Sequence, residues 1–315
     1  MHKSAFSLSA VFALLALFSQ AGQASSIRHD VKSFTEMQQY VDKIADPKHT
    51  LVVMDDDDTL TMMSCPDSKQ LDTCQYLGGP AWFSWQQSQI KNMAQPRVAD
   101  SFSGLLTASS MLFSINYMPY TATDVPTVLN KLTTSGVRLL VETARGNDNV
   151  SATERQFSRL DNKSYNKQYP NLLSLVSENS LRFEKGPGKV SPYPPCGDQH
   201  MQPISYQLGA MYLSGQNKGK ILKCMLDDYN HDHKADAVTH VVFIDDTDAN
   251  VVDVHKAFEN DKLYDVYALH YTALKEHKKA LTEGKMAAAY QANAMKRWKA
   301  IREAMQENLQ NPVLP

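Results

Sequence analysis

The sequence predicts an α/β protein with an open, mostly parallel central sheet and helices on both faces. Short, largely apolar runs at 51–54, 137–141 and 240–244 each stop at polar or acidic residues, as parallel strands covered on both sides do. Between them, apolar residues recur at helical spacing behind capping residues. Strands alternating with helices favour a parallel sheet. A chain of 315 residues, 43% apolar with a formal charge of −2, has material for one large domain or two small ones. It lacks a basic field, which sets aside nucleic acid and an anionic membrane surface as main partners.

The first 24 residues read differently. Met1-His2-Lys3 gives a weakly positive start, residues 10–18 (AVFALLALF) an apolar core, and Ala21-Gly22-Gln23-Ala24 a small-residue site. Together these form a secretory signal peptide, with cleavage expected after Ala24 and Ala21 as second choice. The remaining chain, 25–315, is expected to be exported, to the periplasm or beyond. The apolar core falls short of the about 20 residues that a membrane span needs, and no later stretch supplies one. No stable membrane anchor is therefore expected after cleavage; an uncleaved anchor is the alternative. Export permits disulfides among Cys65, Cys74, Cys196 and Cys224. Cys65 and Cys74 flank a short polar loop, but three pairings exist and the sequence does not choose. A zinc site is the weaker reading, because there is no C-x-x-C pair and the histidines lie far away in the chain.

Along the chain, Ser33-Phe34-Thr35-Glu36 has capping-box spacing, and Phe34, Met37, Tyr40, Val41 and Ile44 give a helical face up to Pro47. The strand at 51–54 follows and delivers Asp55, Asp56, Asp57 and Asp58 at its C-terminal end. Residues 61–118 are irregular, with an aromatic cluster of Trp82, Phe83 and Trp85, and read as an insertion. Asp124-Val125-Pro126 opens a helix with a cap residue and an early proline. The strand at 137–141 runs into Glu142, Thr143, Ala144, Arg145 and Gly146. Ser151-Ala152-Thr153-Glu154 caps another helix, residues 172–202 are loop-rich, and 204–213 reads as one strand. Lys218 opens a helix with Ile221, Leu222 and Met225 on its apolar face. The strand at 240–244 ends in Asp245, Asp246 and Asp248, a helix carries Val251, Val254 and Phe258, and 263–269 is the last strand. Met286, Tyr290, Ala294, Trp298, Ile301 and Met305 line a terminal helix at about 283–308, packed on the domain.

Ligands gather at the carboxyl ends of strands in open parallel sheets. Asp55 to Thr59, Thr143, and Asp245 with Asp246 are expected to meet there. Four adjacent carboxylates disfavour their own ionisation, so water, protons or a cation must relieve them. A calcium loop of EF-hand type is excluded by the missing mid-loop glycine and closing glutamate.

D-x-D-x-T-L (Asp55, Asp57, Thr59, Leu60), a strand-ending Thr143, Lys218-Gly219 opening a helix and Asp245-Asp246 closing a strand resemble the four motifs of the haloacid dehalogenase-like (HAD) superfamily, in order. The export signal, the early aromatic insertion and LLVETARG further resemble a secreted bacterial HAD-like family whose members mostly lack an assigned substrate. The resemblance implies a Rossmann-like core with a small cap at 61–118, and a Mg²⁺-dependent phosphatase acting on a small phosphate ester. Asp55 would be the nucleophile and a metal ligand. Asp57 would be the general acid and base, with its backbone carbonyl on the metal. Thr143 would hold a phosphoryl oxygen and Lys218 the developing charge, with Lys220 as a less favoured substitute. Asp245 would complete the metal shell, supported by Asp246. Asp57 separates phosphoryl transfer from carbon–halogen cleavage.

Two residues depart from that pattern: Asp56, expected to point away from the nucleophile, and Glu142, more polar than its position predicts. Arg145 is expected either to reach substrate phosphate or to form a surface salt bridge. The aromatic cluster reads as core rather than lid, His231-Asp232-His233 as a solvated turn, and the Asn162-Lys163-Ser164 sequon as incidental. The competing function is a secreted binding or effector protein that keeps the fold with little or no catalysis. No protein partner is specified.

Overall fold

A computed structural model describes residues 25–67, 70–183, 191–312 and 315. The signal peptide expected at 1–24 lies outside the described residues. The sheet has seven strands: β1 (Ser26–Val31), β2 (Thr50–Met54), β3 (Arg138–Thr143), β4 (Ser205–Gln207), β5 (Ala210–Tyr212), β6 (His240–Asp245) and β7 (Asp265–Tyr271). Their spatial order is β1-β7-β6-β2-β3-β5-β4, all parallel except β4 against β5. From β2 the chain moves outward through β3 and β5, then returns to add β6 and β7 on the other side. The order therefore reverses at β2, where a ligand crevice forms in such sheets.

Every residue of β2 is buried, which explains its unbroken apolar composition. Val52, Met54, Leu139 and Val141 face one layer made by α1 (Phe34–Val41), α4 (Val125–Thr134), α5 (Val150–Arg159) and α6 (Leu172–Glu178). Leu51, Val53, Leu140 and Phe243 face the other, made by α7 (Lys218–Asp232) and α8 (Asp248–Phe258). The expected helices on both faces are present. A third core joins the segment between β2 and α4 to the C-terminal helices. There α2 (Pro80–Lys91) and α3 (Phe102–Ile115) pack Trp82, Trp85, Leu105 and Leu112 with Leu281 of α9 (Lys275–Thr282) and with Ala294 and Trp298 of α10 (Ala287–Asn308). Trp82 and Trp85 are core, as expected. On α10, Ala294 and Trp298 are buried and Tyr290 and Ile301 partly so, while Met286, just ahead of the helix, faces solvent.

Several local expectations need correction. β1 has no apolar run to announce it, because this edge strand is largely exposed and its middle is Arg28-His29-Asp30. The single strand expected at 204–213 is a hairpin, turned by Leu208 (φ 48°) and Gly209 (φ 80°). Two positive φ values form the tight turn that matches strand twist. Helix α1 stops at Val41, and α6 interrupts the region read as loop. The 186–197 part of that region is described only from 191 onward. Helix α5 starts at Val150, so Ser151 lies in its first turn and caps nothing. Asp124 makes no cap bond to α4; its carboxylate accepts from the Thr35 N–H and hydroxyl of α1, both at 2.9 Å. The last strand begins at Asp265, two residues beyond the reading, and α9 was absent from it. Disulfides join Cys65 to Cys74 and Cys196 to Cys224, the choice left open by the sequence.

Candidate active site at the ends of β2, β3 and β6

The end of β2 is held against β6 by the Asp55 N–H donating to the Ile244 carbonyl at 3.0 Å. Beyond it the chain turns sharply: the Asp56 carbonyl accepts from the Leu60 and Thr61 N–H groups, both at 2.9 Å. Asp58 takes the left-handed conformation (φ 61°), which aspartate tolerates better than most residues. This turn sends consecutive carboxylates in different directions.

Asp55 and Asp245 share the Lys218 ammonium, at 2.6 and 2.7 Å. The third ammonium proton goes to the Glu142 carbonyl at 2.7 Å, so Lys218 has no donor to spare. Lys218, and not the exposed Lys220, is the lysine that reaches these carboxylates. Asp245 also accepts from the Thr247 N–H (2.8 Å) and Asn250 Nδ2 (3.0 Å). The Thr59 hydroxyl accepts from the Asp246 N–H at 2.9 Å, and the Asp246 carboxylate pairs with Lys278 of α9 at 2.5 Å. Carboxylate oxygens of Asp55, Asp245 and Asp246 all lie within 4.8 Å of one another in a buried pocket of hard oxygen donors.

A second unit stands beside the first. Arg145 grips Asp57 through two parallel bonds, Nε to Oδ2 at 2.8 Å and Nη2 to Oδ1 at 2.7 Å. Its Nη1 reaches Thr153 Oγ1 (2.8 Å), Gln156 Oε1 (2.7 Å) and Asp56 Oδ2 (3.2 Å). The guanidinium also stacks 4.0 Å above the Phe113 ring of α3, tying the insertion to the site. Such a fork fixes a carboxylate far more tightly than a point charge does. Asp57 keeps a side chain 17% exposed, whereas that of Asp56 is sealed and also bonded by the Thr61 hydroxyl at 2.7 Å. Thr143 is fully buried at the end of β3, its hydroxyl accepting from the Arg145 N–H at 3.2 Å.

Burial dominates the ionisation of the cluster. It pushes Asp55 up to about 7 against the pull of Lys218, and Asp56 up to about 7 against Arg145. Asp58 rises well above the usual carboxylate range through burial and the neighbouring Asp246. Asp245 and Asp246 rise for the same first reason. Glu142 is driven up strongly by burial, and neither of its carboxylate oxygens has a hydrogen-bond partner among the described residues. Lys218 is held above its ordinary value: burial opposes its charge, but Asp245 and Asp55 outweigh it. Six aspartates thus face three cations among the described residues, Lys218, Arg145 and Lys278, so that full ionisation of the cluster would leave an excess of negative charge at the strand ends. That imbalance and the hard donor set fit a divalent cation.

The family match extends over residues 30–309. The chain belongs to the family described as Protein of unknown function (DUF2608). No curated protein and no solved structure matches it. For this DUF2608 member, the site rests on the geometry of its own residues.

All the predicted site residues reach the same end of the sheet. Asp55, Lys218, Asp245 and Asp246 are brought together, while the side chain of Asp57 stands apart in the Arg145 fork and the Thr143 hydroxyl meets the Arg145 backbone. Arg145 is not a surface ion pair but the buried centre of its own network. Asp58 is a buried carboxylate beside Asp246 and Lys278. Lys278 was missed, because it sits in a short polar helix with no motif; the local signal there is only Leu274, His277 and Leu281 at helical spacing. His233 stacks on Tyr229 at the end of α7, and His231-Asp232-His233 forms no metal-type cluster among the described residues. Asn162 is buried and bonded to Asn130, consistent with an incidental sequon.

Proposed function

We propose that this protein is an exported, Mg²⁺-dependent phosphatase that hydrolyses small phosphate monoesters through an aspartyl phosphate, on the HAD plan. The observation that carries the reading is the buried Asp55–Lys218–Asp245 cluster, with Asp246, at the point where strand order reverses. Asp55, Asp245 and Asp246, with the Asp57 backbone carbonyl, would hold Mg²⁺. The ion would offset the repulsion between an anionic nucleophile and a phosphate dianion.

The chain's own residues supply the remaining chemistry. An Asp55 oxygen attacks phosphorus as the ester P–O bond breaks, and Lys218, its three donors committed within the cluster, stabilises the phosphoryl charge through its field. In the Arg145 fork both Asp57 oxygens accept hydrogen bonds, so the general-acid role calls for one oxygen to leave the fork, take up a proton and give it to the leaving oxygen. Asp57 then takes a proton from the water that attacks phosphorus, releasing inorganic phosphate and restoring Asp55. Thr143 supplies a hydroxyl to a phosphoryl oxygen. The insertion, linked to the site through Phe113 and Arg145, would act as the cap.

Export is supported by the two disulfides, which persist in oxidising compartments. No helix among the described residues is long and apolar enough to cross a membrane.

The test is hydrolysis of a generic aryl phosphate by the mature protein, with and without Mg²⁺, beside Asp55→Asn. Mg²⁺-dependent turnover lost in the variant is expected. Equal rates in the two proteins would remove the mechanism. Metal binding without turnover across a phosphate-ester panel would favour the binding or effector reading.

A further inference from the structure

We propose that Lys278 is an internal counter-ion that competes with the divalent cation for Asp246 and so sets the affinity and charge selectivity of the site. This rests on the metal reading above, and it assigns a role to a residue outside the four motifs.

Two ammonium groups neutralise the acidic cluster, and they are built differently. Lys218 is 1% exposed, and its three donors are committed to Asp55, Asp245 and the Glu142 carbonyl. It has no alternative position. Lys278 comes from α9, its side chain is 28% exposed, and its bond is to a single carboxylate, that of Asp246. A flexible four-carbon stem can swing such an amine into water at little cost. Lys278 is therefore the displaceable cation of the pair.

Its position matters because Asp246 is one of the three carboxylates whose oxygens converge within 4.8 Å. Thr247 Oγ1 donates to Asp246 Oδ1 at 3.3 Å, and Lys278 occupies Oδ2. A metal ion bound to this carboxylate sits beside the ammonium, and the two positive charges repel strongly at partly buried distances. A monovalent ion replacing Lys278 gains nothing in charge, whereas a divalent ion does. The lysine thus biases an acid-rich pocket against Na⁺ and K⁺.

The backbone that carries Lys278 is well anchored. The adjacent His277 stacks on Tyr76 at 4.7 Å, and Leu281 is buried in the core shared with Trp82. Displacement consequently takes the form of a side-chain swing from a fixed helix. It also links the grip on Asp246 to the packing of the insertion on α9.

The experiment is calorimetric titration of Mg²⁺ into the mature wild-type protein, Lys278→Met and Lys278→Arg, with folding checked by circular dichroism. Lys278→Met is expected to bind Mg²⁺ about tenfold more tightly or better and to become sensitive to K⁺. Lys278→Arg, which keeps the charge, is expected to stay within a few-fold of wild type. In wild-type protein, reductive methylation of Lys278, read by peptide mass mapping, is expected to speed up several-fold when Mg²⁺ saturates. Unchanged or weaker binding by Lys278→Met, or methylation indifferent to Mg²⁺ while heat of binding is seen, would overturn the proposal. No heat in either wild type or Lys278→Met would instead overturn the metal reading beneath it.

Discussion

Gly219→Ala adds one methyl group at the second residue of α7, and the geometry fixes what it meets. An ideal Cβ there lies 2.2 Å from the Asp253 carbonyl oxygen, 2.5 Å from its carbonyl carbon and 2.8 Å from Val254 Cα. All three are backbone atoms of α8, so no rotamer change relieves the clash. Ordinary contacts between carbon atoms begin near about 3.5 Å. The two helices must therefore separate by roughly 1 Å, an overpacking that costs about 1–3 kcal/mol. Helix propensity opposes this by at most about 1 kcal/mol, so a net loss of about 1–2 kcal/mol is expected. For a domain of this size that lowers Tm by roughly 2–8 °C. Lys218 is the preceding residue, and on the proposed phosphatase reading a displacement of about 1 Å there would reduce turnover by up to about 100-fold. Thermal melts and phosphatase assays of Gly219→Ala beside Lys220→Ala test both consequences; the exposed Lys220 should stay within about 0.5 kcal/mol of wild type. Wild-type Tm and turnover in Gly219→Ala would refute the close approach of α7 to α8 and its role in placing Lys218.

Arg145→Met strips the buried Asp56 and the Asp57 fork of their cation and should cost about 3–5 kcal/mol in urea unfolding; Arg145→Lys, which keeps charge without the fork, should recover part of it. Trp82→Ala opens the core between the insertion and α10 and should lose about 3–5 kcal/mol, with faster proteolysis at 61–118 as the local readout. Saturating Mg²⁺ should raise stability by about 2.7 kcal/mol at a hundred times its Kd, and Asp245→Asn should abolish that gain. Burial, with Lys278 second, holds His277 down to about 4. The folded chain keeps this imidazole neutral while the unfolded chain protonates near about 6.5, so its contribution to stability should fall between about pH 6.5 and 4, by up to about 3 kcal/mol, opposite in sign to that of Asp55 and Asp56, whose raised values favour the folded state as pH falls. The difference between the wild-type and His277→Gln profiles should show that fall, and parallel profiles would show that His277 does not produce it.

What the sequence made legible follows from how each element is stabilised. β2, β3 and β6 are buried on both faces, so their composition had to be apolar, and their acidic exits stood out against it. β1 is an edge strand, exposed along most of its length and held by backbone pairing with β7, which leaves little trace in residue type. The hairpin at 205–212 hides because Leu208 fills a positive-φ position that glycine or asparagine would have advertised. At the site, Asp55, Lys218 and Asp245 were readable because they leave the ends of neighbouring strands or open a helix beside them. Arg145 was readable as a residue but not as a role: only the fold brings Thr153, Gln156, Asp56 and Asp57 around it.

The separation of the four consecutive aspartates shows why spacing alone misleads. An alternating strand would place Asp55 with Asp57 and Asp56 with Asp58. The chain leaves β2 as a turn instead, and Arg145 joins the neighbours Asp56 and Asp57 while Asp55 goes to Lys218 and Asp58 lies near Lys278. Each cation belongs to a different element: Arg145 follows β3, Lys218 opens α7 and Lys278 rides on α9. The acidic run is thus divided among three separately anchored partners. A change in the position of any one helix must redistribute charge at the same crevice, which is how the packing of the insertion on α9 and the close contact of α7 with α8 both bear on the ionisation of a single turn.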